Sequence, residues 1–310
     1  MAKNLAQMTV KELRCFLDSF DVVLSDCDGV LWIFDKLIPG ALESLKTLQD
    51  LGKRIQLVSN NSTPYFKDYE AKVKPSGLQF QPAQLTLPST VIAWYLNKIN
   101  FRGEAFVIGS PSFRQTLTEA GIKMTPPGFP EITRDVLGTS VINAVTTGDS
   151  DAIVLDYSLR ASWAQLTYAI NRLKKEDLLY LSGTKSRSIL AGLRKEVLGA
   201  GPLTDLVSRM SGKQPIECAK PSNVLREHLM DICQVKDPKR CLFIGDSIAT
   251  DMTFATKCGF QKLFIETGMD NYADTLKNEG TQPDYYLSTL GLLTSIIESA
   301  SKNSAKMRSS

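Results

Sequence analysis

The stretch Val22-Val23-Leu24-Ser25-Asp26-Cys27-Asp28-Gly29 decides the fold of this chain. A short apolar run ends abruptly in two acidic residues that are separated by a single cysteine. Continuous apolar runs of this length are typical of strands that are buried in a parallel sheet. Two carboxylates at such a point lose hydration and repel each other, and a bound cation would relieve both costs. We therefore expect a cation site at Asp26 and Asp28, with an ordinary acidic turn as the alternative for an isolated stretch.

The same rhythm of a strand followed by polar residues recurs along the chain. The later examples are residues 55–58 before Ser59 and Asn60, residues 216–218 before Lys220, and residues 241–244 before Asp246, with Asp251 five positions further on. Strands that alternate with helices in this way predict an α/β fold with a doubly wound, mainly parallel sheet and a Rossmann-like core. Ligands bind such sheets beyond the carboxyl ends of the strands, so Asp26, Ser59 and Asp246 are expected to meet in one crevice.

Each of these later clusters also has a simpler interpretation when it is taken alone. Asp246 and Asp251 could offset the dipole at a helix N-terminus, Ser59 could be a helix N-cap, and Lys220 could be a solvated surface lysine. A calcium loop of the EF-hand type is excluded, because the loop would need glycine and glutamate where this chain has Leu31 and Leu37.

The overall composition excludes several classes of protein. The chain has 310 residues, 43% of them hydrophobic, which is enough for about two globular domains. Its net charge of +3 equals the charge of Lys302, Lys306 and Arg308 in the C-terminal tail, so no basic face for nucleic acid is expected. No apolar stretch is long enough to cross a membrane. The six cysteines include no CxxC pair, which argues against a zinc site or a disulfide framework and favours a cytoplasmic protein.

The order of the patterns predicts how the chain is divided. Residues 1–103 form the first part of a core domain, residues 104–213 an inserted α/β cap domain, residues 214–300 the second part of the core, and residues 301–310 a disordered tail. Within the core, a capping-box pattern at Thr9 predicts a helix start. Leu42, Leu45, Leu48 and Leu51 are expected to share one helical face that ends at Gly52.

Histidine chemistry has little support, because His228 is the only histidine in the chain. A helical setting after Pro221 argues against a catalytic role for it. The chemistry is therefore expected to depend on carboxylates, hydroxyl groups and lysine.

Taken together, the motifs closely resemble those of the haloacid dehalogenase superfamily, and in particular its phosphoglycolate/4-nitrophenylphosphate phosphatase branch with a large inserted cap. The stretches that carry the resemblance are Asp26-Cys27-Asp28-Gly29-Val30-Leu31-Trp32, Ile38-Pro39-Gly40-Ala41, Gly52-Lys53-Arg54, Val58-Ser59-Asn60-Asn61-Ser62, Lys220-Pro221-Ser222, and Gly245-Asp246 to Thr250-Asp251. The similarity extends over about residues 20–300.

The resemblance implies a role for each acidic residue. Asp26 would be the nucleophile that attacks phosphorus, and Asp28 would protonate the leaving oxygen and then deprotonate water. Mg²⁺ would be held by the Asp26 carboxylate, the Asp28 backbone carbonyl and Asp246, while Asp251 would steady the waters of the ion.

The resemblance also implies how phosphate is held. Ser59 and the Asn60 amide would bind phosphate oxygens, and Lys220 would offset negative charge on the nucleophile and the phosphate. A carboxylate that attacks a phosphate dianion is repelled unless cations cancel that charge, so Mg²⁺ and a lysine suit the reaction.

The cap departs from the pattern of the branch. The V-G-x-D stretch is replaced by Val154-Leu155-Asp156-Tyr157-Ser158, and a T-N-x-D stretch by Thr184-Lys185-Ser186-Arg187. One hypothesis is that Lys185 and Arg187 select a more anionic substrate, and the alternative is that both are solvated charges.

These observations predict a Mg²⁺-dependent phosphatase that hydrolyses a small phosphate monoester, such as phosphoglycolate or glycerol phosphate, through an aspartyl-phosphate. A phosphatase of pyridoxal 5′-phosphate is the alternative within the branch. A dehalogenase would share the fold but needs no general acid, so Asp28 argues against it. A phosphate-binding or scaffold protein with poor turnover is the alternative of another class. The resemblance also suggests a homodimer formed through the cap.

Overall fold

The structure is a computed structural model and describes residues 2–126, 138–174, 178–190 and 196–309. By internal packing the chain divides into two compact units. The first consists of residues 1–59, 66–86 and 229–310, and the second of residues 60–65 and 87–228. The predicted insertion, residues 104–213, falls within the second unit. The predicted domain boundaries themselves stay a prediction, because a unit defined by packing need not coincide with an inserted domain.

The described residues contain the following strands and helices. The strands are β1 (Lys3–Asn4), β2 (Val22–Ser25), β3 (Trp32–Ile33), β4 (Lys36–Leu37), β5 (Arg54–Val58), β6 (Leu85–Thr86), β7 (Ala105–Ile108), β8 (Ala152–Leu155), β9 (Leu179–Ser182), β10 (Ser188–Leu190), β11 (Glu196–Leu198), β12 (Ile216–Glu217), β13 (Cys241–Gly245), β14 (Gln261–Ile265) and β15 (Tyr285–Leu287). The helices are α1 (Val10–Asp18), α2 (Ala41–Asp50), α3 (Phe66–Val73), α4 (Pro88–Lys98), α5 (Pro111–Glu119), α6 (Thr139–Thr146), α7 (Trp163–Leu173), α8 (Gly201–Ser211), α9 (Asn223–Ile232), α10 (Thr253–Cys258), α11 (Tyr272–Thr275) and α12 (Leu293–Ser309).

The first unit is built on a seven-stranded parallel sheet in the order β1-β15-β14-β13-β2-β5-β6. From the central pair, β2 leads outward to β5 and β6, whereas β13 leads outward in the opposite direction to β14 and β15. The direction of winding therefore reverses between β2 and β13. This arrangement confirms the predicted doubly wound α/β fold, and ligands of such sheets bind where the direction reverses.

Two predicted helix ends in the first unit can be compared with the structure. α1 begins with the predicted capping box, in which the Thr9 side chain accepts a hydrogen bond from the Glu12 backbone and Glu12 accepts one from the Thr9 backbone. Leu42, Leu45 and Leu48 are buried on one face of α2. The inclusion of Leu51 in that face was wrong, because the helix ends at Asp50 and Leu51 is exposed.

The C-terminal helix differs from the expectation of a disordered tail. α12 extends to Ser309 and thus includes most of residues 301–310. This segment contains alanine, lysine, methionine and arginine, which all have high helix propensity. Its polar composition therefore did not show where the helix ends.

The second unit has its own four-stranded parallel sheet in the order β12-β9-β8-β7. Apolar side chains of β7, β8 and β9 pack against α7, in a buried cluster that includes Phe106, Ile153, Leu166 and Ala169. Residues 105–108, 152–155 and 179–181 are continuous apolar stretches, which is typical of strands that are buried in a parallel sheet. Among the described residues, no helix combines the length and the apolar composition that crossing a bilayer requires.

Candidate active site

The winding reversal in the first unit brings Asp26 and Asp246 to the same edge of the sheet. β2 and β13 are hydrogen-bonded neighbours with Ser25 opposite Ile244, and the backbone N–H of Asp26 donates to the Ile244 carbonyl over 2.9 Å. Asp26 and Asp246 each follow the last residue of their strand. Parallel strands that end side by side therefore account for the meeting of two acids that lie far apart in the sequence.

Three buried carboxylates lie together at this edge. One oxygen atom from each of Asp26, Asp246 and Asp251 can be chosen so that all three atoms lie within 4.8 Å of one another. Asp251 is fully buried, and Asp26 and Asp246 are 8% and 5% exposed. Like charges buried this closely are costly without a cation, and a set of carboxylate oxygens suits a hard ion such as Mg²⁺. The residues thus fit a divalent metal ion.

Backbone hydrogen bonds fix the orientation of two of these carboxylates. The Asp251 Oδ2 atom accepts from the backbone N–H groups of Asp246 and Ser247, each over 3.1 Å. The Asp246 Oδ2 atom accepts from the Met269 N–H over 2.6 Å. Asp251 lies in a short π-helical turn, Ile248–Met252, that follows β13 directly. This turn directs Asp251 back towards the strand end, so the two acids are held as a preformed pair.

Glycines allow the backbone to approach these acids closely. A Cβ atom at Gly268 would overlap the Asp246 carboxylate, and one at Gly245 would overlap the Asp251 side chain. Gly29 has a φ of +84°, and a Cβ there would also collide with Asp246. Larger residues at these positions would therefore displace the carboxylates.

Asp28 lies beside the cluster and has its own partners. Its Oδ1 atom accepts a hydrogen bond from Trp32 Nε1 over 3.1 Å, and its Oδ2 atom lies 3.5 Å from Ser59 Oγ. Trp32 is buried and its ring contacts the ring of Tyr69. Trp32 is therefore a core residue and not an exposed ring on which a substrate could stack. Phe34, at the tip of the β3–β4 hairpin, is exposed.

Two features near the acids were missed by the sequence analysis. Tyr69 is buried against Ser59 and the loop that carries the acids, and burial, followed by the charges of Cys27 and Asp28, raises its pKa well above the ordinary value. The second feature is the loop after β14, residues 266–270, which supplies Met269. This loop repeats the pattern of a strand followed by glycine and aspartate, so the sequence contained a signal for it, whereas nothing in the sequence around Tyr69 points to the site.

The loop after β14 also anchors the π-helical turn. Asp270 Oδ2 accepts a hydrogen bond from the Ile248 N–H over 2.7 Å, and the Asp270 N–H donates to the Asp246 carbonyl over 3.1 Å. Both contacts join the ends of the neighbouring strands β13 and β14, so Asp270 helps to hold Asp246 in place.

In the second unit, Asn60 and Lys220 are joined through a pair of hydrogen bonds. Asn60 Oδ1 accepts from the Lys220 backbone N–H over 2.9 Å, and Asn60 Nδ2 donates to the Lys220 carbonyl over 3.2 Å. Lys220 is 5% exposed. The amide of Asn60 therefore fixes the backbone that presents the lysine.

The remaining residues singled out by the sequence are placed in the second unit as well. Lys185 Nζ lies 3.1 Å from Glu217 Oε1 and 4.0 Å from Asp205 Oδ1, so carboxylates of the same unit already balance its charge. Arg187 is exposed. His228 lies in α9 with its ring against the ring of Trp94.

Comparison with protein families assigns the chain. A model described as haloacid dehalogenase-like hydrolase matches residues 23–123, and a model described as HAD-hydrolase-like matches residues 217–293. The two matches together include more than half of the chain and every acid of the cluster. The chain belongs to the haloacid dehalogenase-like hydrolases. The resemblance that the sequence motifs suggested is thus confirmed.

Individual relatives of this hydrolase match along nearly its whole length. The chain is 28% identical to a 4-nitrophenylphosphatase of Schizosaccharomyces pombe, over 94% of this chain and 99% of that protein. It is 26% identical to the chloroplastic phosphoglycolate phosphatase 1A of Arabidopsis thaliana, over 93% of this chain and 80% of that protein. The crystal structure of a 4-nitrophenylphosphatase from Thermotoga maritima superposes with a TM-score of 0.75 and 22% identity, over 91% of this chain and 98% of that one, and so shares the fold.

Proposed function

We propose that this chain is a magnesium-dependent phosphatase that hydrolyses small-molecule phosphate monoesters through an aspartyl-phosphate. The observation that carries the proposal is the group of three buried carboxylates, Asp26, Asp246 and Asp251, at the winding reversal of a parallel sheet. The names of two relatives that match nearly the whole chain, a 4-nitrophenylphosphatase and a phosphoglycolate phosphatase, support the same conclusion.

In the proposed reaction a carboxylate oxygen of Asp26 attacks phosphorus, and the bond from phosphorus to the ester oxygen breaks. The N–H of Cys27 donates to Asp26 Oδ1 over 2.7 Å, and this hydrogen bond helps to orient the nucleophilic carboxylate. Asp28 gives its proton to the departing oxygen and then takes a proton from the water that cleaves the aspartyl-phosphate. Trp32, through its hydrogen bond to Asp28, sets the orientation of that proton donor.

The metal would be held by the Asp26 carboxylate, the Asp28 backbone carbonyl and Asp246, with Asp251 steadying its waters. Bound Mg²⁺ would supply positive charge that lowers the repulsion between an anionic nucleophile and an anionic phosphate. The hydrogen bond from the Met269 N–H to Asp246 Oδ2 keeps this carboxylate in a position to bind the ion.

The phosphate oxygens would be bound by the Ser59 hydroxyl and the backbone amide of Asn60, and Lys220 would offset their charge. Preorganised donors cost little reorganisation at the moment of reaction, which is why buried, fixed groups suit this task. Asn60 and Lys220 hold each other through two hydrogen bonds, and this contact supports their assignment as one binding element.

Hydrolysis of 4-nitrophenyl phosphate with Mg²⁺, and again with EDTA, tests this function. We expect a rate that EDTA removes and that Asp26→Asn abolishes, while the exposed control Glu298→Gln keeps the rate of the unaltered protein. A rate that survives EDTA or Asp26→Asn would refute the mechanism. Phosphate binding without any hydrolysis would favour a phosphate-binding or scaffold protein instead.

A panel of esters would identify the substrate class within this function. Phosphoglycolate and glycerol phosphate are the proposed substrates, because the phosphoglycolate phosphatase of Arabidopsis matches nearly the whole chain. Pyridoxal 5′-phosphate belongs in the same panel as the alternative. The ion pairs of Lys185 weaken the hypothesis that this residue selects a more anionic ester. The variant Arg187→Ala tests the same hypothesis for Arg187, and an unchanged preference among the esters would refute it.

A further inference from the structure

A buried carboxylate lies at the carboxyl end of β8 in the second unit, and the proposed mechanism does not use it. Asp156 is 2% exposed and follows the last residue of that strand. Burial raises its pKa from an ordinary value of 3.8 to about 7, against the opposing effect of hydrogen bonds from Tyr157, Thr184 and Ser62. Burying a charged carboxylate costs free energy unless hydrogen bonds compensate for the lost water, so the groups that contact Asp156 matter.

Three donors from different parts of the unit converge on Asp156. The Thr184 N–H donates to Asp156 Oδ1 over 3.1 Å, and the other two are the Tyr157 backbone N–H and the Ser62 hydroxyl. Gly183 permits this approach, because a Cβ there would lie 2.6 Å from the Asp156 carboxylate carbon. The carboxylate therefore links the end of β8, the segment after β9 and the segment 60–65.

Ser62 is itself the centre of a buried hydrogen-bond network. Its carbonyl accepts from the hydroxyls of Ser110 and Ser112 over 2.9 and 2.7 Å, and its hydroxyl accepts from the Ser89 N–H over 3.3 Å. The segment 60–65 is thus tied to the second sheet and to α4 and α5. Asn60, which grips the Lys220 backbone, stands two residues before Ser62.

The ionised form of Asp156 suits this network better than the protonated form. An ionised carboxylate can accept all three hydrogen bonds, whereas protonation converts one oxygen into a donor that faces other donors. The Cys218 thiol interacts electrostatically with Asp156, and burial first and Glu217 second raise the pKa of that thiol far above neutrality. The neighbouring segments carry five charged residues, of which Lys185 and Glu217 pair with each other, Arg160 and Arg187 are exposed, and Lys220 is buried.

We propose that Asp156 is a positioning residue for phosphate binding: its carboxylate holds Ser62, and through the segment 60–65 it fixes the Asn60–Lys220 pair. This inference rests on the proposed function, in which that pair binds the phosphate group. Protonation of Asp156 loosens the segment and weakens phosphate binding, so the pair binds more tightly once Asp156 is ionised.

Direct binding of inorganic phosphate to the Mg²⁺-loaded protein, measured by isothermal titration calorimetry from pH 6 to pH 8, tests the proposal. Asp156→Asn imitates the protonated carboxyl. We expect its Kd to match that of the unaltered protein at pH 6 and to exceed it about tenfold at pH 8, as the loss of a hydrogen bond to a charged group would produce. The quantity compared at each pH is the ratio of the Kd of Asp156→Asn to the Kd of the unaltered protein. The ionisation of phosphate affects both Kd values equally and cancels in this ratio. The exposed acid Asp149 supplies the control, Asp149→Asn, with a ratio near one throughout.

Ser62→Ala removes the donor at the other end of the contact and serves if Asp156→Asn fails to fold. It should raise the Kd at pH 8 by a similar factor, and the double variant should bind no more weakly than either single one. In turnover of 4-nitrophenyl phosphate, Asp156→Asn should raise KM while kcat stays within about twofold. A ratio of Kd values that does not change with pH, or additive effects of the two substitutions, would overturn the proposal. Failure of the proposed function gives a different result, since the unaltered protein would then bind phosphate with this pH dependence but hydrolyse no ester.

Discussion

Asp246→Asn should make the protein more stable without metal and, at the same time, remove its stabilisation by Mg²⁺. Most substitutions of a buried hydrogen-bonded residue destabilise a fold. Here the opposite sign is expected, because Asp246 lies within 4.8 Å of carboxylate oxygens of both Asp26 and Asp251. The amide oxygen of the asparagine can still accept from the Met269 N–H, so the hydrogen bond that orients the side chain is kept.

The size of the effect follows from that separation. Two unit charges 4.8 Å apart repel by about 3 kcal/mol at an effective dielectric constant of 20. The substitution removes two of the three repulsive pairs, and the backbone N–H donors to Asp246 and Asp251 offset part of that repulsion, so the metal-free variant should gain about 1–3 kcal/mol in free energy of unfolding. Mg²⁺ at a hundred times its Kd stabilises the unaltered protein by about 3 kcal/mol. At about 2 °C per kcal/mol, that stabilisation raises Tm by about 6 °C.

Thermal unfolding in EDTA and in Mg²⁺, followed by circular dichroism, measures both quantities. Glu298→Gln, an exposed acid of the same unit, is the control for the loss of one negative charge. The reasoning fails if Asp246→Asn has a lower Tm than the unaltered protein in EDTA, or if Mg²⁺ raises the Tm of both by the same amount.

Three further changes test neighbouring parts of the structure. Gly268→Ala places a Cβ on the Asp246 carboxylate and should abolish the rise in Tm with Mg²⁺ while leaving a folded protein by circular dichroism. Trp32→Phe removes the donor to Asp28 but keeps an apolar ring, and a loss of about tenfold in kcat on 4-nitrophenyl phosphate is expected from one hydrogen bond to a charged group. Asp156→Asn should change how the free energy of unfolding depends on pH. Burial raises the folded-state pKa of Asp156 from 3.8 to about 7, so the unaltered protein loses a stabilising contribution as pH rises through that range. Guanidinium unfolding at pH 4 and pH 8 should therefore show a smaller loss of free energy of unfolding in the variant than in the unaltered protein.

The strand ends could be predicted from the sequence because the information there is local. A continuous apolar run sets a buried strand, and the polar residue directly after it must lie at the sheet edge, which is how Asp26, Ser59 and Asp246 were placed correctly. The end of α2 was less well determined. Leu51 continues the apolar spacing of that helix, but Gly52 with a φ of +81° ends it, and the leucine is left exposed.

Contacts between distant segments could not be predicted in this way. Tyr69 packs beside Ser59 because α3 returns towards the end of β5, and no periodicity in the sequence reveals that return. Asp156 follows an apolar strand as Asp26 does, yet the same pattern gave no indication that Ser62 and Thr184 would cover it. A carboxylate directly after a buried strand therefore marks a candidate functional position. Its chemical role depends on which groups the fold places around it.

The two buried acids that follow central strands illustrate that dependence. Asp26 meets other carboxylates, Asp246 and Asp251, so the local field favours a cation. Asp156 meets hydroxyl and backbone N–H donors, which offset part of the cost that burial imposes on its negative charge. The two sites should consequently respond to different perturbations: removing Mg²⁺ should act through the first, and lowering pH from 8 to 6 should act through the second. Because they belong to separate packing units, Asp246→Asn should leave the pH response of Asp156 intact, and Asp156→Asn should leave the rise in Tm with Mg²⁺ intact. Loss of both responses in either variant would mean that the two acids act as a single coupled site.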